Sequence, residues 1–341
     1  MTSKRRFKLI AAVVLLVVPP LLAAIAGWLV SPWFLHPVRR ELTAQLIGRA
    51  DSVFQLLHAT REDFSVRAPD GVTLYGWKVR PANPNGCWVL LFHGVADNRM
   101  GVIGHAEMLL RSGYSVVMMD ARAHGASEGA MATYGWLERE DSKSTLDALL
   151  VSEREPAIDV QTSAPYPSGD SGKAAPVAHV FSLGESMGAG IALQSAEIDP
   201  RIEGVVAEAS FATLREASYD YAGLRKSPFL GKTLLAPFSW TLLYRSESLA
   251  GFPPSGVSPE RSVARRPFPV LIICDENDVA LPCRHSKRIY AAATGLKQFW
   301  PAPGAYHSAA IGFHPQEFQS RVLTFFAQIR DGSPQAAAAT R

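Results

Sequence analysis

The chain has 341 residues, of which 48% are hydrophobic and 19% charged, with a formal net charge of +3 at pH 7. This composition is enough for one large core or two smaller ones, and it excludes disorder over most of the length. A charge so mild, with no basic run interleaved with aromatics in the body, excludes nucleic acid as a partner. Three cysteines (Cys87, Cys274, Cys283) with no Cys-x-x-Cys pair imply neither a disulfide framework nor a zinc ribbon.

Residues 9–30 carry no charge. As a helix rising about 1.5 Å per residue they span roughly 30 Å of hydrocarbon. Lys4, Arg5, Arg6 and Lys8 precede the span, Trp28 and Trp33 stand at its far end, and Pro19 and Pro20 interrupt it. Two readings stay open. One is an uncleaved single-pass anchor, which the length of the apolar run favours. The other is a signal peptide with a cleavage site at Ala24-Ile25-Ala26. Four basic residues before the span, against Arg39, Arg40 and Arg49 beyond it, place the N-terminus in the cytoplasm and the body outside. Cleavage would make the protein secreted. Either way, residues 1–38 read as a segment separable from the body.

Residues 39–60 form a linker, with Leu42, Leu46, Val53 and Leu57 at amphipathic helical spacing. The body, 61–330, opens with strands at 64–68 and 72–79 joined by Pro69-Asp70-Gly71, a hairpin signal. Strands at 88–92, 115–119, 177–183, 204–209, 269–273 and 298–300 then alternate with helices at 99–112, 136–153, 187–196, 284–293 and 315–329. Alternation with near-continuous apolar strands predicts an α/β architecture: about eight strands, mostly parallel, with helices on both faces. Residues 155–176 are rich in Pro, Ser and Gly and read as an exposed insertion. Residues 211–266 read as a helical lid between core strands, and 331–341 as a disordered tail.

Chemistry concentrates at Gly184-Glu185-Ser186-Met187-Gly188, between an apolar strand and a small-residue helix. A Gly-x-Ser-x-Gly match arises by chance on the order of 0.1 times in a chain this long. Its seat between strand and helix is much rarer. Such a turn needs small residues two before and two after the serine, and it presents the hydroxyl at the edge of the sheet. A serine needs a base. Among nine histidines, His307 stands in the loop after the last strand, whereas His314 belongs to the start of a helix and His285 to a helix. The imidazole needs an acid. Asp275, Glu276, Asp278 and Glu208 all satisfy the order Ser, acid, His. Two backbone N–H groups, of Met187 after the serine and of Val95 in the loop following residues 88–92, are the candidates for holding an oxyanion. His93 reads as a loop-shaping residue.

Together these motifs resemble the α/β-hydrolase superfamily over roughly residues 60–330. The likeness extends to His93-Gly94 and to the stretch from Asp120 to Gly129, which is similar to an Asp-x-Arg-Gly-His-Gly-x-Ser block with Ala123 where glycine is usual, a mild exchange. The set as a whole resembles the serine aminopeptidase-like, BEM46-like branch, whose members are frequently membrane-anchored. Matching the family spacing on Pro282 selects Asp278 as the acid and leaves Glu208 structural, while Asp120 and Arg122 brace loops. The resemblance implies a Ser186–His307–Asp278 serine hydrolase with no metal or organic cofactor, acting on an ester, thioester or lipid-like acyl compound. Peptide hydrolysis, a cofactor-free relative sharing the same triad, and a non-catalytic binding module are the alternatives.

Overall fold

Eight strands form one sheet in the spatial order β1-β2-β4-β3-β5-β6-β7-β8. They are β1 (Thr60–Arg67), β2 (Thr73–Arg80), β3 (Cys87–Phe92), β4 (Ser115–Met119), β5 (His179–Glu185), β6 (Ile202–Glu208), β7 (Val270–Asp275) and β8 (Lys297–Ala302). This computed structural model describes residues 3–154 and 177–332. The expected insertion at 155–176, and all but two residues of the expected tail, lie outside the described residues. β1 and β2 are antiparallel across the Asp70-Gly71 turn, where Gly71 sits at φ +88°, and β2 joins β4 antiparallel. Every other pairing is parallel.

Two strands run further than their apolar residues indicate. β1 begins at the polar stretch Thr60-Arg61-Glu62-Asp63, whose Glu62 pairs across the ladder with Lys78 at 3.1 Å and with Arg80. Charge on an edge strand is a common guard against further pairing. β8 continues through Pro301, which an edge strand accommodates because one side of its ladder is unpaired.

The helices are α1 (Ser3–Leu35), α2 (Ala44–Leu56), α3 (Ile103–Arg111), α4 (Glu138–Arg154), α5 (Met187–Ile198), α6 (Leu214–Ala222), α7 (Pro228–Lys232), α8 (Ala236–Ala250), α9 (Pro259–Arg265), α10 (Arg284–Ala292), α11 (Ala310–Phe313) and α12 (Pro315–Arg330). One face of the sheet buries Val89, Leu91, Phe181 and Leu271 against Phe54 of α2, Leu109 of α3 and Phe325 and Phe326 of α12. The other buries Leu90, Val205 and Ile272 against Leu146 of α4, Leu193 of α5, Val263 of α9 and Ile289 of α10. The expected lid comprises α6 to α9. Its Phe211, Leu214, Leu243 and Phe252 make a third apolar cluster, which also holds Leu35 of α1.

That last contact departs from the expectation of a separable N-terminal segment. α1 is long and apolar enough over Arg6–Leu35 to cross a membrane, yet its end is built into the body. Leu35 is fully buried and its carbonyl accepts from Ala132 N at 2.8 Å. Phe34 stacks on Tyr134, whose hydroxyl donates to the Phe34 carbonyl at 2.7 Å. Arg39 donates to the carbonyls of Gly125 and Gly129.

Candidate active site

The C-terminal ends of the parallel strands carry the candidate site residues, where the loops of an open α/β sheet converge. Ser186 follows β5 and precedes α5 at φ 54°, ψ −119°, a backbone conformation that L residues rarely adopt. The flanking glycines permit the turn. A Cβ on Gly184 would lie 2.3 Å from Gly188 O, and one on Gly188 would lie 2.2 Å from Phe92 O. The turn thus presents Ser186 at the start of a buried helix.

His307, in the loop after β8, reaches it from a distant part of the chain. Its Nε2 lies 2.8 Å from Ser186 Oγ and its Nδ1 lies 2.6 Å from Asp278 Oδ2. A carboxylate only accepts, so the proton on the ring sits at Nδ1 and Nε2 accepts from the serine. Asp278 follows β7. Its Oδ1 accepts from Ala280 N at 2.7 Å and from Leu281 N at 2.9 Å, which locks the carboxylate's orientation. Ser186, His307 and Asp278 therefore form one hydrogen-bonded chain. Val95 and Met187 line the same cavity as Ser186. Among the described residues, neither of their N–H groups donates to a protein acceptor.

A scan against family models matches residues 88–229 to a family described as alpha/beta hydrolase fold. An uncharacterized Bacillus subtilis (strain 168) protein, YqkD, is 23% identical over 278 residues, 79% of this chain and 80% of its own length. Of solved structures, the Pyrococcus furiosus esterase Pf2001 superposes with TM-score 0.61 at 20% identity, covering 86% of this chain and 98% of the esterase. The Pyrococcus horikoshii acylaminoacyl peptidase superposes with TM-score 0.58 at 15% identity, covering 82% of this chain and 43% of the peptidase. The chain has the α/β-hydrolase fold.

Within that fold Asp275, Glu208, His285, His314 and His93 have structural partners, while Glu276 is exposed and makes no side-chain bond among the described residues. Asp275 Oδ2 accepts from Ser308 N at 2.7 Å and Glu208 Oε1 from Ala310 N at 2.9 Å. Both carboxyls thereby pin the turn that follows His307. Burial, with Glu208 adding like charge, pushes the Asp275 carboxyl up to about 8. Burial likewise pushes Glu185, beside the serine, up to about 7. His285 accepts from Ala212 N through Nδ1 and donates to Asp220 through Nε2, so both nitrogens are occupied. Burial pulls its pKa down to about 4. His314 bonds the Pro303 carbonyl. His93 accepts from Ala121 N at 3.0 Å and bonds Gly94 O at 2.7 Å, shaping the loop that presents Val95.

Asp120 accepts from Arg99 through N, Nε and Nη2 and from Ala126 N, and Arg122 grips Asp141 and Asp70. Both brace loops around the site. Ala123 sits at φ 61°, where a Cβ costs roughly 1 kcal/mol. The glycine-to-alanine exchange is therefore less mild than its chemistry implies.

Two features have no clear signal in the sequence. Cys274 and Cys283 are joined as a disulfide, with Cα atoms 5.3 Å apart, closing the loop that carries Asp278. The three cysteines form no framework, as expected, but one pair is bridged. One bridge forms because β7 and the start of α10 return to each other, and Cys87 stays free and buried. The second feature is the cavity beside Ser186, of about 200 Å³, which is lined by lid residues and by Val30 and Phe34 of α1.

Proposed function

We propose that this protein is a membrane-anchored serine hydrolase that cleaves a carboxylic ester, thioester or related acyl bond through an acyl-enzyme. His307 Nε2 takes the Ser186 proton as Oγ attacks the carbonyl carbon. The Val95 and Met187 N–H groups hold the oxygen that becomes negative. The imidazolium formed is stabilised by Asp278 and gives its proton to the leaving alcohol or thiol, and the acyl group remains on Oγ. Water, deprotonated by His307, then attacks the acyl carbon. The acid leaves and the proton returns to Ser186.

The observation that carries this reading is the unbroken Ser186–His307–Asp278 hydrogen-bonded chain on a strained serine. The esterase among the structural neighbours agrees with it. No charged side chain lines the cavity among the described residues. A site for a free aminoacyl group needs a partner for the ammonium, because an unpaired buried charge is costly, so the cavity favours neutral acyl substrates over free aminoacyl ones.

The anchor is supported by α1, which over Arg6–Leu35 is long and apolar enough to cross a membrane. A disulfide persists in oxidising compartments, which supports an extracytoplasmic body. Hydrolysis of p-nitrophenyl acetate is the direct assay. Ser186→Ala lowers turnover by at least ~10³-fold while keeping the backbone strain, so the fold is retained. Turnover surviving in Ser186→Ala would overturn the proposal.

A further inference from the structure

Val30 and Phe34, one turn apart on α1, line the cavity beside Ser186 together with Phe238 and Leu242, one turn apart on α8. The two helices touch along the last third of the apolar span. Thr241 Oγ1 donates to Ala24 O at 2.7 Å, and Arg245 Nη1 donates to Trp28 O at 2.6 Å with its guanidinium 4.7 Å from the Trp28 ring centroid. Gly27 allows the approach: a Cβ there would lie 2.1 Å from Phe238 O. Close backbone packing at small residues is how helices associate within membranes.

Trp28 and Trp33 bracket this end of the apolar span, and tryptophans gather at the membrane–water interface, so a spanning α1 puts Val30 and Phe34 near the bilayer surface. At about 1.5 Å per residue, Ala24 lies roughly 9 Å deeper, and α8 is carried down beside it. The outward side of the lid suits that depth. Trp240 and Tyr244, one turn apart on α8, are 59% and 69% exposed, and Phe229 of α7 is 78% exposed. Trp and Tyr concentrate where headgroups meet hydrocarbon.

We infer that the site takes esters of a medium-length apolar acyl chain drawn laterally from the bilayer, with the end of the membrane helix forming one wall of the acyl pocket. This rests on the hydrolase reading above. An apolar cavity of about 150 Å³ holds a benzene ring. The space here, about 200 Å³, therefore takes a chain of roughly six to ten carbons. The lining adds no charge, which suits a neutral chain. The leaving alcohol occupies the opposite, solvent-facing side of Ser186, where His307 is partly exposed.

The test uses the full chain in phosphatidylcholine vesicles and the p-nitrophenyl esters of acetate, octanoate and dodecanoate. Octanoate is expected to have the highest kcat/KM. Val30→Trp fills the pocket and lowers the octanoate-to-acetate ratio at least tenfold. Val30→Ala enlarges it and raises the dodecanoate-to-octanoate ratio severalfold. Val14→Trp, on the exposed part of α1, leaves the profile as it is. Both Val30 variants within twofold of the wild-type ratios would overturn the inference. An octanoyl ester of a long-chain lipid that does not exchange between vesicles is hydrolysed when embedded in the enzyme's own vesicles and not when supplied in separate ones if the chain enters from the bilayer. Equal rates from the two arrangements refute lateral entry. Absence of acetate turnover in the wild type is a different result: it rejects the hydrolase reading itself.

Discussion

Asp278→Asn and Asp275→Asn make the same exchange three residues apart, one in the loop after β7 and one at the end of that strand, and the structure assigns them opposite consequences. In Asp278→Asn the amide oxygen can keep the Ala280 and Leu281 N–H bonds. Its NH₂ then faces His307 Nδ1 as a donor. The imidazole answers by carrying its proton on Nε2, and a protonated Nε2 cannot accept from Ser186. A wrong tautomer of this kind costs ~10⁴ in kcat, about 5 kcal/mol of barrier. Asp275 differs because burial and Glu208 already keep its proton on up to about pH 8. An amide copies that neutral acid, accepting from Ser308 N and donating toward Glu208, so kcat at pH 7 falls by less than ~10-fold.

Stability separates the two further. The native state holds the Asp275 proton above pH 4, where the unfolded chain releases it. The stability contributed by this group is therefore whole below that pH and is lost as pH rises toward about 8. Asn escapes the loss, so the Tm advantage of Asp275→Asn over wild type widens from pH 5 to pH 8. Steady-state hydrolysis of p-nitrophenyl acetate and circular-dichroism melting at the two pH values measure both effects. Equal losses of kcat in the two variants would refute the assignment of the acid.

Ser186→Gly removes the Cβ from φ 54° and relieves roughly 1–2 kcal/mol of strain, so Tm rises by a few degrees by calorimetry while ester turnover disappears. Cys283→Ser opens the loop around Asp278. Closing about ten residues contributes about 2.5 kcal/mol, so Tm falls and kcat drops, and dithiothreitol reproduces both effects in the wild type but changes nothing further in the variant. Deleting residues 1–38 removes the buried Leu35 and the Phe34–Tyr134 stack, at a cost of roughly 2–4 kcal/mol. Deleting residues 1–18, which leaves those contacts intact, keeps the melting temperature of the body. Thermal melts of the two truncations, solubilised in the same detergent, check this.

Most of the fold was legible because its strands are buried on both faces. Cys87–Phe92 and Val270–Asp275 read as short apolar runs, and the serine turn announces itself through two glycines whose missing Cβ atoms the structure requires. The first four residues of β1 were invisible, being polar and held by cross-strand charge rather than burial. His307 could be chosen by position alone, since a loop after the last strand has one histidine free to reach inward. The acid could not be chosen that way. Only the family spacing to Pro282 singled out Asp278; the residues alone left it level with Asp275, because the two differ in which backbone N–H groups meet them, a property of the folded chain. The disulfide was hidden for the same reason, since residues 274 and 283 meet only after β7 and α10 are in place. Least legible was the second role of α1. Its apolar residues satisfy a membrane on every side, and nothing in their pattern distinguishes Val30 and Phe34, which face the cavity, from Leu29 and Trp33, which do not.

The most direct measurement is covalent labelling of the intact protein with an alkyl fluorophosphonate, read by peptide mass spectrometry. A single adduct is expected on the peptide containing Ser186, absent in Ser186→Ala and strongly slowed in His307→Ala. A folded wild-type protein that takes no adduct, or takes it on another residue, contradicts the reading of Ser186 as the nucleophile.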